Sequence, residues 1–369
     1  MKLSIERAAL LKSLGHMQGI VERRNTIPIL SNVLLEAKGD ALALTATDLD
    51  LWMVERVEAA VEQDGGTTVV AQTLYDIVRK LPDGSQIELA LESDGRLLVR
   101  TGRSRFHLPC LDREDFPVVP DGDLAHRFDI GAADLRRLLE KTRFAISTEE
   151  TRYYLTGVYL HAAEGPGTLR AVATDGHRLA RAEIALPKGA AAMPGVIVPR
   201  KVVQEVSRLT DGVDGEIRVA LSDSKVRIEF DGGVLTSKLI DGTFPDYERV
   251  IPEGNDKRVE VDALTLRAAI DRVSTVSTEK SRSVKVAISK GKAVLSASSS
   301  ENASATDEVP IDYAGDGLEV GFNARYLMDI LDEVDGETAV ILLNDAVSPA
   351  VVTDREDSSA LYVLMPMRV

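Results

Sequence analysis

Two kinds of hydrophobic pattern occur along the chain. Segments such as 87–91 and 226–230 have apolar residues at every second position, which is typical of half-buried antiparallel strands. Segments such as 132–139 have apolar residues three and four positions apart, which predicts amphipathic helices. Asp-Gly pairs that follow helical segments, as at 83–84 and 211–212, indicate turns. The pattern therefore predicts an α+β chain with antiparallel sheets.

The order of these elements repeats three times, at a spacing of about 125 to 130 residues. A strand followed by a helix opens each copy, at 3–14, 128–139 and 259–270. A strand, a second helix and a turn follow at 67–84, 196–212 and 318–336. We predict three tandem copies of a domain with two helices and roughly eight strands. Polar segments that contain glycine separate the copies, so we predict domains at residues 1–122, 128–252 and 254–369.

The composition supports a globular chain with more than one domain. Of the 369 residues, 44% are hydrophobic and 28% are charged. Cys110 is the single cysteine, so no disulfide can form within the chain. No apolar run reaches the length of a signal peptide or of a membrane-spanning helix. We therefore expect a cytoplasmic protein that does not enter a membrane.

The formal net charge of -15 argues against adhesion of nucleic acid over the whole surface. Many cations nevertheless lie in or beside the predicted helices. If those helices share one face, it would attract a phosphate backbone without reading bases. Ordinary solvated helix faces explain the same pattern equally well, and the acids Asp329, Asp332 and Glu333 near the last helix weaken the first interpretation.

The first and third copies carry opposite charges on strand-like sequence. The first has Arg96, Arg100, Arg103 and Arg105, and the third has Glu301, Asp307 and Glu308. Such complementary charges would favour head-to-tail pairing of two subunits, which can close into a ring. Scattered surface charge is the alternative explanation.

The sequence contains no convincing catalytic constellation. The five histidines lack paired ligand spacing, and neither a phosphate-binding glycine loop nor a GxSxG motif occurs. Asp48 and Asp50 alternate in a way that could hold magnesium, although solvent-facing strand residues explain them better. We therefore expect a binding protein with no catalytic residues, no cofactor and no metal.

Four motifs then identify a known family. They are Arg-Tyr-Tyr-Leu-Thr-Gly at 152–157, Ala-Thr-Asp-Gly-His-Arg-Leu-Ala at 173–180, Phe-Pro-Asp-Tyr at 244–247 with Arg249 and Val250, and Met-Pro-Met-Arg at 365–368. In order and spacing they resemble the beta subunit of bacterial DNA polymerase III, the replicative sliding clamp. Segments 26–32 and 102–106 fit the same family, so the resemblance covers the whole chain.

This resemblance implies a homodimer that forms a six-domain ring around duplex DNA, without reading its sequence. The ring would tether the polymerase to DNA and would be a non-catalytic part of the DNA-directed DNA polymerase holoenzyme. The implied partners are double-stranded DNA, the catalytic subunit of DNA polymerase III, the clamp loader and other proteins with clamp-binding peptides. The alternatives are a peptide-binding adaptor that forms no ring, and a metal-dependent nuclease that uses Asp48, Asp50 and Asp175.

The resemblance also assigns residues to three sites. The peptide-binding pocket would comprise Leu155, Thr174, Gly176, His177, Arg178, Leu179, Pro245, Arg249, Val250, Val347, Val363, Met365, Pro366, Met367 and Arg368. The DNA contacts would be Arg24, Arg79, Tyr153, Tyr154, Arg200, Lys201, Asn323 and Tyr326. The dimer interface would use Arg96, Arg103, Arg105, Phe106, Leu108, Thr275, Val276 and Glu301. The chain departs from the family's pattern at Thr148, Glu149, Thr275, Ser281 and Pro349.

Overall fold

The fold is described from a computed structural model, which covers residues 1–22, 26–119, 122–165, 167–277, 283–299 and 303–368. The predicted site residues Arg24 and Glu301, and the departure at Ser281, lie outside these ranges. The described residues divide into two units. The first unit contains Met1–Ala133, Pro187–Pro194 and Gln204–Leu239, and the second contains Asp134–Leu186, Gly195–Val203 and Ile240–Val369.

The threefold repeat is visible in the helices. A helix of 12 residues follows the first strand of each copy: α1 (Arg7–Gln18), α3 (Ala132–Arg143) and α5 (Ala263–Ser274). A second, shorter helix lies later in each copy: α2 (Ala71–Lys80), α4 (Arg200–Leu209) and α6 (Ala324–Leu331). The fold therefore agrees with the predicted two helices per copy, while the exact domain boundaries stay a prediction.

The sequence also explains where these helices begin. The Glu6 carboxylate accepts a hydrogen bond from the Ala9 amide and caps α1, and Asp262 caps α5 through the Thr265 amide. Asn323 caps α6 by accepting from the amides of Arg325 and Tyr326. Each side chain satisfies an N–H group that has no partner within the helix.

The strands of the first copy form most of one long sheet in the first unit. They are β1 (Lys2–Glu6), β2 (Asn32–Lys38), β3 (Ala41–Thr47), β4 (Leu51–Glu58), β5 (Ala60–Gln63), β6 (Gly65–Val70), β7 (Gln86–Leu91), β8 (Arg96–Thr101) and β9 (Ser104–Leu111). Strands of the second copy continue this sheet: β10 (His126–Gly131), β15 (Glu216–Leu221), β16 (Lys225–Phe230) and β17 (Gly233–Lys238). Their order is β10-β15-β16-β17-β4-β3-β2-β6-β9-β8-β7-β1-β5.

The second unit contains two antiparallel sheets. The second copy supplies β11 (Gly157–Ala163), β12 (Thr168–Thr174), β13 (Arg178–Ala185) and β14 (Val196–Pro199). The third copy supplies β18 (Lys257–Asp262), β19 (Ser283–Ser289), β20 (Lys292–Ser298), β21 (Ser304–Pro310), β22 (Leu318–Asn323), β23 (Thr338–Leu343), β24 (Ala350–Asp354) and β25 (Ala360–Leu364). The sheets run β14-β11-β12-β13-β25-β24-β23-β18 and β21-β20-β19-β22. The pair β13–β25 joins the second copy to the third, with Leu179 opposite Val363.

One expectation about the strands was wrong. Asp48 and Asp50 do not alternate along a strand, because residues 48–50 form the turn between β3 and β4. The Asp48 carboxylate accepts hydrogen bonds from the Asp50 and Leu51 amides, and Leu49 takes a φ of 79°. A short aspartate side chain that bonds to the backbone two residues on favours a turn over a strand.

Gly157, at the start of β11, offers a test of this packing. A Cβ at this position would overlap the Val198 carbonyl oxygen of β14, which pairs with β11. We expect Gly157→Ala to lower the free energy of unfolding by about 1–3 kcal/mol, because backbone cannot yield as a flexible side chain does. Urea unfolding monitored by circular dichroism measures the change.

Gly254→Ala is the matched control, since a Cβ there meets nothing within 4 Å. Equal stability of the two variants would contradict the close approach of β11 and β14.

Candidate peptide-binding groove

The candidate site begins at a tight turn between β12 and β13, residues 174–177. The Thr174 hydroxyl accepts from the Gly176 amide and donates to the Arg178 carbonyl. The Asp175 carboxylate accepts from the His177 and Arg178 amides. Gly176 has a φ of 89°, and a Cβ there would lie 2.6 Å from a guanidinium nitrogen of Arg152. Both the backbone conformation and the neighbour therefore favour glycine.

Arg152 ties this turn to the Arg-Tyr-Tyr-Leu motif. Its guanidinium donates to the Asp175 carbonyl at 2.9 Å and to the Glu149 carboxylate. The residues that follow, Tyr153 to Leu155, form a 3-10 segment within Glu150–Leu155. Tyr153 is 54% exposed, whereas Leu155 is buried. Thus the motif exposes the Tyr153 side chain to solvent and buries the Leu155 side chain in the core of the site.

A buried apolar cluster lies beneath the site. It contains Leu155, Leu179 and Val363, which the sequence assigned to the pocket, together with Val172, Ile197, Phe244 and Tyr247. Leu179 and Val363 meet across the β13–β25 pair. The cluster thus joins the second and third copies and gives the site a rigid apolar base.

The C-terminal segment forms a groove of about 420 Å³ above α6. Its lining residues are His177, Asn323, Tyr326, Met365, Pro366, Met367 and Arg368. The Met365 amide donates to the His177 carbonyl at 3.0 Å, and the Met367 amide donates to the Gly321 carbonyl at 2.8 Å. The segment is therefore held by its backbone, while the side chains of Met365 and Met367 stay 42% and 36% exposed. Exposed methionines on a fixed backbone suit a surface that accepts several apolar ligands.

Arg178 has a structural place in this site. Its guanidinium donates to the Asp329 carboxylate at 2.6 Å, to the Phe144 carbonyl at 2.7 Å and to Asp175 at 3.2 Å. It also lies over the ring of Tyr326, 4.3 Å from the centroid. The side chain is only 9% exposed. Arg178 therefore joins the turn, α6 and the end of α3, and each of its three nitrogens already donates a hydrogen bond.

The other predicted pocket residues lie on two exposed segments. Pro245, Arg249 and Val250 follow Phe244 in a segment with a 3-10 turn at Glu248–Val250. Val347 is 73% exposed and lies in a turn. In this turn the Asp345 carboxylate accepts hydrogen bonds from the Val347 and Ser348 amides. These N–H donors hold the pKa of Asp345 below its usual range. The Pro349 carbonyl accepts a hydrogen bond from Asn255.

The predicted DNA contacts differ in how much of each side chain is available. Tyr153 and Tyr154 meet edge to face, with ring centroids 5.7 Å apart. Arg79 pairs with Asp76 on α2, and Arg200 donates to the Ile146 and Ser147 carbonyls. Lys201 is half-buried on α4, and Tyr326 stacks on His177 in the groove. Asn323 is used as the cap of α6.

The described interface residues lie on β8, on β9, in the turn between them and just after α5, and Arg96 at the start of β8 pairs with Asp94. Strand β9 pairs with β8 along its length, but pairs with β6 only at Cys110 and Leu111. Phe106 is half-buried and Leu108 is buried on this strand. Strand β21 is an edge strand of its four-stranded sheet, where it pairs with β20. Thr275 and Val276 follow α5, with Thr275 exposed.

Sequence reasoning missed several residues that build the site. Asp329 was taken only as a charge that weakens a basic face, yet it is the partner of Arg178. Phe144, Phe244 and Tyr247 pack behind the groove residues. The Phe-Pro-Asp-Tyr motif was the one sequence feature that could have indicated Phe244 and Tyr247, because it places two aromatic residues close to a proline.

Among the described residues, no group of three or more His, Cys, Asp or Glu side chains could hold a metal ion. The carboxylates of the nuclease alternative have other partners: Asp50 pairs with Lys238, and Asp48 and Asp175 accept backbone amides. No helix of the described residues is long and apolar enough to cross a membrane.

Comparison with known proteins agrees with this architecture. Three family models match in succession: the N-terminal domain of the DNA polymerase III beta subunit at residues 1–120, its central domain at 129–246 and its C-terminal domain at 248–368. A protein of Caulobacter vibrioides described as a beta sliding clamp is 52% identical over 372 residues, covering 100% of both chains.

Solved structures give the same result. The sliding clamp of Bartonella birtlesii, crystallised with bound griselimycin, is 46% identical, with a TM-score of 0.97 and full coverage of both chains. The beta sliding clamp of Caulobacter crescentus is 52% identical, also with a TM-score of 0.97, covering 100% of this chain and 99% of the other.

Fold and comparisons together define a non-catalytic clamp built from three tandem α+β domains. The chain belongs to the DNA polymerase III beta subunit family, the beta sliding clamps, and acts as a processivity clamp in DNA replication. The sequence-based predictions of the family, the fold class and the clamp function are confirmed, and the nuclease and adaptor alternatives are not favoured.

Proposed function

We propose that two copies of this chain pair head to tail into a closed ring that encircles duplex DNA in the cytoplasm. The ring tethers DNA polymerase III and other proteins through peptides that bind the groove above α6. The observation that carries the ring is the pair of incompletely paired strand edges, β9 in the first copy and β21 in the third. A strand edge with unpaired backbone N–H and C=O groups promotes association between chains. The edge of β9 on one subunit and that of β21 on the other can satisfy each other by pairing.

The charges on the two edges support this pairing. Arg103 in the turn before β9 and Arg105 on β9 are exposed, and neither has an ion-pair partner among the residues that the structure covers. Asp307 and Glu308 on β21 have the opposite sign, and each also pairs within the chain, with Arg272 and Lys292 respectively. Because the two edges differ, their pairing is heterologous, and a heterologous contact produces a ring when its rotation closes.

The helices support weak, sequence-blind contact with DNA. Many of their cations are neutralised by nearby acids, as in the pairs Arg7–Asp83, Arg267–Asp332 and Arg272–Asp307. A moderate positive potential attracts phosphates, while strong contacts at many phosphates would oppose sliding. We assign the contacts to Arg24, Arg79, Tyr153, Tyr154, Arg200, Lys201, Asn323 and Tyr326.

The groove supports recognition of short linear peptides. Its apolar members, above all Met365 and Met367, can bury large apolar side chains of a peptide, and the polar groups at its ends can fix the orientation. We infer that the catalytic polymerase subunit and the clamp loader bind here with peptides of this kind.

Sedimentation equilibrium tests the ring interface. The wild-type chain is expected to have twice the mass of one chain, and Arg105→Glu is expected to raise the dissociation constant of the dimer about tenfold, which corresponds to about 1.4 kcal/mol. The reason is that a glutamate on β9 would face the acidic residues of β21.

Arg56→Glu is the matched control, because Arg56 is also an exposed strand arginine for which the described residues offer no ion pair. A monomeric wild type, or equal weakening by both variants, would contradict the proposed interface.

A further inference from the structure

A polar network lies behind the groove, on one face of the sheet formed by β11, β12 and β13. His161 on β11 lies opposite Arg170 on β12, and Arg170 lies opposite Glu183 on β13. Two aromatic residues of the 244–251 segment cover this face. Phe244 stacks on Tyr159 with ring centroids 4.9 Å apart and planes 5° apart, and the Tyr247 ring lies 5.7 Å from that of His161.

The hydrogen bonds of this network run in one direction. An arginine can only donate, so Arg170 Nη1 donates to the Tyr247 hydroxyl oxygen at 3.2 Å. The Tyr247 O–H then donates to Nε2 of His161 at 3.0 Å. On the other side of the ring, Nδ1 of His161 lies 3.2 Å from the Ala162 carbonyl and donates its proton there. Because burial disfavours the charged ring, we assign these bonds to a neutral imidazole with its proton on Nδ1.

The surroundings oppose a charge on His161. The titratable and charged groups that face the network are Tyr159 from β11, Arg170 from β12, Arg181 and Glu183 from β13, and Tyr247 and Glu248 from the covering segment. Burial is the main cause that lowers the pKa of His161. The hydrogen bond to the Ala162 carbonyl opposes it, the positive charge of Arg170 lowers the pKa further, and Glu248 opposes both to a lesser extent. Arg170 is itself held by Glu183 and Glu248 at 2.7 Å each.

The same covering segment carries Pro245, Arg249 and Val250, which the family resemblance assigns to the peptide-binding site, and it packs on the apolar cluster beneath the groove. Phe244 and Tyr247 belong to the buried cluster that includes Leu155, Leu179 and Val363. Between and after these two anchors come Pro245, Arg249 and Val250, which are exposed. Arg249 pairs with Asp246 within the segment, so this ion pair does not attach the segment to the sheet. The attachment to the sheet rests on Phe244 packing, on the Tyr247 hydroxyl and on the Glu248 carboxylate, which accepts from Arg170 at 2.7 Å.

We propose that neutral His161 is a positioning residue for the peptide groove, which it shapes by holding Tyr247 and with it the 244–251 segment, and that acidification weakens peptide binding through its protonation. This inference rests on the proposed peptide-binding function. Protonated His161 loses its acceptor at Nε2, so the Tyr247 O–H has no partner there, and the new charge lies beside Arg170. Both effects favour release of the segment from the sheet.

The direction with pH follows from linkage. The folded protein holds the pKa of His161 below the ordinary value of about 6.5, so the unfolded or released state binds the proton more tightly. Neutral His161 contributes its full stabilisation of the folded segment at pH values above the ordinary histidine pKa. This stabilisation is lost as the pH falls from there through the lower value of the folded state.

The primary experiment measures binding of a fluorescent peptide, with one glutamine and two large apolar residues, to the full chain between pH 7.5 and 5.5. We expect wild-type affinity to fall about fivefold or more on acidification. His161→Gln should bind as wild type does at pH 7.5 and should keep that affinity at pH 5.5, since a glutamine oxygen accepts from Tyr247 and does not titrate. Tyr247→Phe should bind more weakly at both pH values.

His177→Gln is the matched control, because His177 lines the groove directly. It should keep the acid-induced loss. Loss of the pH response in His177→Gln, or its persistence in His161→Gln, would overturn the proposal.

Hydrogen exchange of the amides at 244–251 separates this inference from the proposed function, because it needs no peptide. Protection factors in this segment should fall on acidification in the wild type and stay constant in His161→Gln. If the wild type binds no peptide at pH 7.5, the groove is not a peptide site. If the protection factors are equal in the two proteins at both pH values, His161 does not position the segment.

Discussion

Arg178→Met is expected to lower the free energy of unfolding by about 3–5 kcal/mol, the largest change predicted for this protein. The guanidinium of Arg178 donates to Asp329, Asp175 and the Phe144 carbonyl, and it is only 9% exposed. Methionine fills much of the same volume but leaves the Asp329 carboxylate without its charge partner in a partly buried place. Removing one partner of such a pair lowers stability by more than the intact pair contributes, because the remaining charge is only partly hydrated.

Urea unfolding compares Arg178→Met with two further variants. Arg325→Met, on the exposed face of α6, is the matched control and should change stability by less than about 0.5 kcal/mol. Asp329→Asn should recover part of the loss when it is combined with Arg178→Met, because it removes the unpaired charge. Equal effects of Arg178→Met and Arg325→Met would show that the guanidinium does not hold the turn to α6.

Met365→Ala combined with Met367→Ala is expected to weaken binding of a clamp-binding peptide about 30- to 100-fold. Each methionine exposes a third or more of its side chain in the groove, while backbone hydrogen bonds to His177 and Gly321 hold the segment in place. The change should therefore remove apolar contact area without releasing the segment. Loss of two partly buried methionine contacts corresponds to about 2–3 kcal/mol.

Fluorescence anisotropy of a labelled peptide measures this change, and thermal unfolding monitors the fold. Leu264→Ala is the matched control, because Leu264 is 76% exposed on α5 and does not line the groove. It should bind the peptide as the wild type does. Unchanged peptide affinity of the double methionine variant would place the peptide site elsewhere.

The repeated architecture could be predicted from sequence because its signals are local. Helical periodicity and Asp-Gly turns each involve a few neighbouring residues, and the same order occurs three times. The expectation for Asp48 and Asp50 was wrong for a local reason as well. Their alternation resembles a strand, but the Asp48 carboxylate bonds to nearby amides and forms a turn.

The contacts that build the groove could not be predicted in this way. Arg178 and Asp329 are 151 positions apart, and His161 and Tyr247 are 86 apart. The chain contains many arginines and acids, so charge alone does not indicate which of them pair. Motif resemblance assigned both exposed residues such as Met365 and buried residues such as Leu179 to the groove, but it did not assign His161 or Asp329. The individual contacts with peptide, DNA and the second subunit stay predictions.

The central claim is that the protein holds DNA by encircling it. The most direct measurement is retention on circular compared with linearised plasmid after loading by an ATP-driven loader, at a salt concentration that suppresses simple phosphate binding. We expect the protein to stay on the circle and to leave the linear molecule through its ends. Equal loss from both forms would contradict this claim, since electrostatic contact alone does not distinguish a circle from a cut molecule.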